Sequence, residues 1–242
     1  MEVPIYFYAL IAVTAFLYAS VGHGGASGYL ALMALWGFLP ETMRPTALVL
    51  NLIVALMAFV QYYRNGHFQW SLFWPFALLS IPFAYWGGSL QLPIYWYKKL
   101  LGGLLLITAL RFWWHKAAYN EATAVPGKGI ALTLGGGIGL LSGITGIGGG
   151  VLLSPVLLWN RWANPKQAAA LSALFIWVNS LAGLIGAAKS GLHFTQDMYY
   201  FVGAALTGGA LGARLGAGPF SKQTLQYLLA VVLCMAALKI IL

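Results

Sequence analysis

Acidic side chains are the scarcest chemistry in this sequence: 4 Asp and Glu stand among 242 residues, against 13 Lys and Arg. Charged residues of both signs make up only 7% of the chain, where a soluble domain carries about 25%. A chain this poor in charge cannot coat a folded surface with solvated groups, and 61% of its residues are hydrophobic, with a mean hydropathy of +0.81. The composition therefore predicts a polytopic integral membrane protein embedded in a lipid bilayer, with no separate aqueous domain. The single cysteine, Cys234, excludes an intrachain disulfide and any multi-cysteine metal site. All four carboxylates, Glu2, Glu41, Glu121 and Asp197, fall at expected segment ends or loops, which excludes a buried carboxylate relay for protons or sodium and leaves the interior free of negative charge. There is no HExxH, no GxSxG and no carboxylate placed to orient a histidine, so nothing points to an enzyme, a metal or a cofactor. The formal net charge of +9 is spread singly, from Arg44 and Arg64 to Lys222 and Lys239. That is the pattern of headgroup anchors rather than of a nucleic-acid surface. The apolar start lacks a basic n-region and is expected to belong to the mature fold.

What is present is length and recurrence. Apolar segments cover 4–21, 25–39, 46–63, 71–90 and 96–114, then 129–145, 149–160, 167–188, 198–216 and 222–242. They divide the chain into a first transmembrane repeat, 1–115, an inter-repeat loop, 116–128, and a second repeat, 129–242. Shifting the first half by about 124 to 126 positions lays Gly22-His23-Gly24-Gly25 on Gly146-Ile147-Gly148-Gly149, brings Gly66-His67-Phe68 near Gly191-Leu192-His193-Phe194, and lays Pro93 on Pro219. One straight helix over 4–39 would be ~54 Å long at about 1.5 Å per residue, against a hydrocarbon core about 30 Å thick. That stretch must be a hairpin broken at the glycines, returning the chain to its starting side. Three further spans make the crossings per half odd, so the second half enters the membrane upside down. The expected fold is all-α, with two inverted repeats of five segments each. Basic residues favour the face carrying the 22–25, 64–70, 111–128, 161–166 and 214–222 turns as cytoplasmic, with both termini outward.

The glycine runs are where a site is expected. A helix begins after each run, and its first N–H groups have no partner within the helix. Those donors and the positive end of the helix dipole form an anion site, with glycine letting a ligand approach the backbone. Inversion points the two starts at each other. The candidate binding residues are Gly22, His23, Gly24, Gly25 and Ser27 in the first run, and Ser142, Thr145, Gly146, Gly148, Gly149 and Gly150 in the second. Asn51, Ser172 and Asn179 on the helices that follow complete the set. His23 is placed to neutralise an anion or to carry a coupling proton. His67 and His193 read as interfacial, as does His115 beside Trp113-Trp114. Arg111 and Arg214 read as snorkelling side chains. Glycines elsewhere, such as Gly102, Gly103, Gly208 and Gly209, read as packing surfaces. A bulky side chain at Gly148 is expected to remove binding from a chain that still folds.

SGITGIGGGVLLSPVLL at 142–158, its echo SVGHGGASGYLAL at 20–32, and the helix opening Pro165-Lys166-Gln167-Ala168 resemble the sulfite exporter TauE/SafE family of membrane permeases. The chain departs from the pattern at Gly22-His23-Gly24-Gly25-Ala26, which has a histidine for an apolar residue and lacks the third consecutive glycine. The resemblance implies a secondary transporter of small, sulfur-containing or related organic anions such as sulfite, thiosulfate or organosulfonates, working in the inner or plasma membrane. Self-association is left open. The rival readings are a passive membrane scaffold and, more remotely, an intramembrane enzyme using Ser142 or Ser154 with His23.

Overall fold

The structure, a computed structural model, describes residues 3–20, 22–113, 124–189, 191–192, 195–215 and 233–240. Glu2, Trp114, His115, Lys116, Glu121, His193, Phe194, Pro219 and Lys222 lie outside the described residues. Those described are helix or connecting turn, with no strand among them. The helices are α1 (Ile5–Ser20), α2 (Ala26–Leu35), α3 (Pro40–Arg64), α4 (Trp70–Ser89), α5 (Ile94–Trp113), α6 (Lys128–Thr145), α7 (Gly150–Trp159), α8 (Pro165–Ala188) and α9 (Asp197–Leu215), and 233–240 are helical as well. Three of them, α3, α6 and α8, are long and apolar enough to cross a membrane. By contrast α2 and α7 have 10 residues each, ~15 Å of helix at about 1.5 Å per residue, half of what a crossing needs.

Local sequence explains the interruptions. Helix α1 ends where Gly22 turns left-handed (φ 80°), with the Gly22 N–H donating to Ala19 O and the His23 N–H to Tyr18 O. This is the glycine-terminated Schellman pattern. Helix α6 ends in the simpler form, with Gly146 (φ 84°) donating to Ser142 O at 2.8 Å. Helices α2 and α7 then start from Gly25 (φ 94°) and Gly149 (φ 77°), and neither has a side-chain cap of its own. Helix α8 is started differently. Asn164 Oδ1 accepts from the Lys166 and Gln167 N–H groups, Gln167 Oε1 accepts from the Asn164 N–H, and Pro165 takes the first helical position.

Helix α4 lies along α6 and also packs on α8, while α1 lies along α9, which also packs on α3. Helices α3 and α8 pack against each other in the centre, with α2 on α3 and α7 on α8. One apolar core is built around Tyr18, Tyr29 and Phe201, and a second around Phe76, Leu157 and Phe175. Small residues set the closest approaches. Gly135, Gly139 and Gly143 recur every four residues on α6, and a Cβ on any of them would overlap the carbonyl of Phe76, Ser80 or Ala84 on α4. Gly208 and Gly212 of α9 meet the carbonyls of Ala12 and Phe16 on α1 in the same way. The packing role expected for Gly208 is thus observed, whereas Gly103 faces open space. With lipid as the competing solvent, such contact supplies helix association that the hydrophobic effect cannot. Gly139→Val is expected to cost about 3 kcal/mol or more. Gly137→Ala, two residues away with nothing within 4 Å of its added methyl, should cost nothing and raise stability by up to about 1 kcal/mol. Thermal melts of the two variants in detergent test the difference.

Candidate functional site

Asn51 is fully buried in the middle of α3 and joins the two glycine turns. Its Oδ1 accepts the N–H of Ala26, the first residue of α2, at 3.1 Å. Its Nδ2 donates to Ile147 O in the second turn at 3.5 Å and to Ser180 Oγ of α8 at 3.2 Å. A side chain from α3 therefore supplies the cap that α2 lacks. The glycines make room for it. A Cβ at Gly24 would lie 2.6 Å from Asn51 Oδ1, and one at Gly148 would lie 2.5 Å from Asn51 Nδ2. Both would also stand 2.9 Å from Ile176 Cγ2. The space expected for a ligand beside these two glycines is occupied in this structure by Asn51 and Ile176.

A second brace crosses between the turns. Buried His23 places Nε2 2.9 Å from Ser154 Oγ on α7, and that hydroxyl in turn meets Ser172 Oγ of α8 at 2.8 Å and Gly150 O at 2.8 Å. One imidazole and two hydroxyls thus form a continuous polar chain from the first turn to α8. Other candidates are held locally. Ser27 Oγ pairs with Tyr18 Oη at 2.7 Å, and Thr145 Oγ1 donates to Leu141 O while accepting the Ile147 N–H. Gly22 sits against Tyr62 and Ala169, Gly146 against Arg44, and Gly150 against Ile176 and Ser172 O. Asn179 is not brought to the turns. It donates to Phe175 O of its own helix and accepts from Ser80 Oγ of α4.

Three hydroxyls, Tyr29 Oη, Ser142 Oγ and Thr195 Oγ1, are buried without a hydrogen-bond partner among the described residues, and the first two belong to the region of the turns. A Cβ at Gly25 would be 2.7 Å from Tyr29 Oη, and one at Gly149 would be 3.3 Å from Ser142 Cβ. Tyr29 and Ser142 thus each lie beside the glycine that starts one of the two short helices. Leaving such a group unpaired costs about 1–3 kcal/mol. The buried polar side chains among the described residues are hydroxyls, amides and an imidazole, with no carboxylate in the set. The region offers donors and no negative charge.

Sequence reasoning missed Ser180, Tyr29, Ile176 and Arg44. The halves' own register offered one signal: a shift of 125 carries Asn51 onto Ile176, the two side chains that fill the space beside Gly24 and Gly148. Arg44 was grouped with the headgroup anchors, yet it is half-buried and donates to Leu90 O at 3.0 Å, to Gly87 O at 2.9 Å and to Gly88 O. Arg214 is exposed, as a snorkelling side chain should be.

The sequence profile of the family described as "Sulfite exporter TauE/SafE" matches residues 7–240. A protein of Sinorhizobium fredii named "Probable membrane transporter protein y4hK" is 38% identical over 235 residues, covering 95% of this chain and 94% of that one. A Bacillus subtilis protein named "Probable membrane transporter protein YjnA" is 26% identical over 238 residues, covering 91% of this chain and 92% of that one. No solved structure matches the chain at a significant level.

The geometry predicts that Asn51→Ala, which removes three buried hydrogen bonds, destabilises the protein by about 3 kcal/mol. Gly148→Val should do at least as much harm, because φ is +83° there and the Cβ collides with Asn51. This corrects the expectation that Gly148→Val leaves the fold intact. Melting both variants beside the wild type checks it, and an unaltered melting temperature for Asn51→Ala would show that the amide does not hold the turns.

Proposed function

The chain belongs to the sulfite exporter TauE/SafE family and is a membrane transporter, and on that footing we propose that it carries a small, sulfur-containing anion such as sulfite, thiosulfate or an organosulfonate. The observation that carries this reading is the pair of unspent buried hydroxyls, Tyr29 and Ser142, each beside the starting glycine of a short helix. Helix starts present unpaired N–H groups and positive potential. With hydroxyl donors added and no buried carboxylate beside them, an anion is the complementary ligand.

Alternating access around the two glycine breaks is the mechanism we assign, with the halves as inverted repeats in a multi-pass protein of the cell membrane. Exchanging α1, α2, α3 and α4 for α6, α7, α8 and α9 turns the α1–α9 contact into α6–α4, α3–α9 into α8–α4 and α2–α3 into α7–α8. The α3–α8 contact maps onto itself, which supports a two-fold relation between halves. Gly22 touches both Tyr62, near the end of α3, and Ala169, near the start of α8. The two central helices therefore run antiparallel, as inversion requires. Binding at this centre needs Asn51 and Ile176 to part from Gly24 and Gly148. The site set is Gly22, His23, Gly24, Gly25, Ser27, Asn51, Ser142, Thr145, Gly146, Gly148, Gly149, Gly150 and Ser172, with Tyr29 added and Asn179 in support of the α4–α8 contact. A proton travelling with the anion would use His23, Ser154 and Ser172.

Thermal melts of the purified protein with sulfite, thiosulfate, sulfate, sulfoacetate, taurine, acetate or chloride test the reading. A sulfur anion at a hundred times its Kd should add about 2.7 kcal/mol to stability, and the Tyr29→Phe/Ser142→Ala double variant should fold and lose most of that gain. If no anion stabilises a well-folded wild type, the anion reading fails. His23 supplies a separate test. A protonated imidazole adds attraction for an anion, so affinity should weaken as pH rises and the proton leaves, and His23→Gln should flatten the profile. An unchanged profile in the variant would remove His23 from the charge balance.

A further inference from the structure

A cavity of about 320 Å³ opens between the α2–α3, α4–α5 and α8–α9 connections, lined among others by Pro40, Glu41, Arg44, Leu92, Ile94 and Tyr97. Its floor adjoins the second glycine turn. Tyr97 Oη donates to Thr145 O at 3.1 Å, and a Cβ on Gly146 would lie 3.2 Å from Arg44 Cγ.

Arg44 gives this cavity its chemistry. Its guanidinium donates to the carbonyls of Gly87, Gly88 and Leu90, where it closes the end of α4. Those partners are neutral, so they orient the cation without cancelling its charge. Of the five N–H donors a guanidinium holds, three are used in this way, and Nε is buried with no partner. Glu41, one helical turn earlier and exposed, supplies a negative charge to the same cavity. The rest of the lining is mixed, with Pro40, Leu92, Ile94 and the Tyr97 ring on the apolar side and Gln91 and Gly88 on the polar side. A bare inorganic oxyanion would leave the apolar side and much of the volume unused, whereas a charged group on a short carbon chain uses both.

We propose that this cavity is a capture site for small organic anions, where Arg44 binds the anionic group and the Leu92–Ile94 wall the carbon chain before the ligand passes to the glycine turns. The inference rests on the anion-carrier reading and narrows its substrate class. It also gives Arg44 a second role beside closing α4, which is why the test avoids relying on Arg44 variants that would disturb the fold.

Ethanesulfonate is the probe. In a Cys234→Ala background, Leu92→Cys places a thiol on the cavity wall, and its modification by a membrane-impermeant maleimide reads occupancy without requiring transport. Saturating ethanesulfonate should slow labelling several-fold, and equal ionic strength of chloride should not. Glu41→Gln, removing a like charge, should lower the half-protecting concentration several-fold, and Ile94→Glu should raise it. In proteoliposomes the KM for ethanesulfonate should move in the same two directions. Labelling indifferent to ethanesulfonate, or a half-protecting concentration that neither wall variant moves, overturns the capture site while leaving transport of another anion standing. Protection in a protein that moves neither ethanesulfonate nor sulfite overturns the carrier reading, and with it the route from this cavity to the turns.

Discussion

The Asn51 amide bonds both interruptions at this molecule's irregular centre. Backbone that leaves the helical ladder inside a membrane protein must find partners from within the protein, because lipid offers none. Asn51 answers that need on two sides at once, accepting from the first N–H of α2 and donating to a carbonyl of the second turn. Its bond to Ser180 fixes the amide to α8 as well. The four elements that would otherwise drift apart therefore share one side chain, and glycine at 24 and 148 is the condition for that side chain to fit. The glycine runs thus have a packing role that the structure shows directly, beside the binding role proposed for them.

The long helices around this centre are joined by a different device. Glycines of α6 and α9 lie against carbonyls of α4 and α1, bringing backbones together where side chains would hold them apart. These close approaches hold the long helices together backbone to backbone, while the turns rest on side-chain hydrogen bonds.

Much of this was legible beforehand. Helix starts near 26 and 150 and long helices over the apolar runs 46–63 and 167–188 follow from local glycine and apolar signals, whereas α3 begins earlier, at Pro40, and runs through Pro45. His23 stands out in the sequence as a histidine at a break, but its partner on α7 lies 131 positions away and no local rule reaches it. Asn51 and Asn179 looked equivalent, since both are amides in apolar helices; only tertiary contact sends one to the turns and the other to Ser80. Arg44 was misjudged because an arginine near a helix end is usually drawn to headgroups. Here the open ends of α4 and a cavity lie where lipid was assumed.

The Asn51 and Ile176 correspondence has a consequence for energetics. Two halves with identical side chains would exchange roles at no cost, and the open-to-one-face and open-to-the-other forms would be equally populated. In this chain each exchange trades unlike chemistry: amide for isoleucine at the centre, and guanidinium at 44 for the methyl of Ala169 at the matching distance of 125. Gly22 meets the Tyr62 ring and the Ala169 methyl, while Gly146 meets Arg44, which also lines the cavity. A duplicated scaffold decorated this way has two unlike ends, so under the proposed alternating access its two forms would differ in stability.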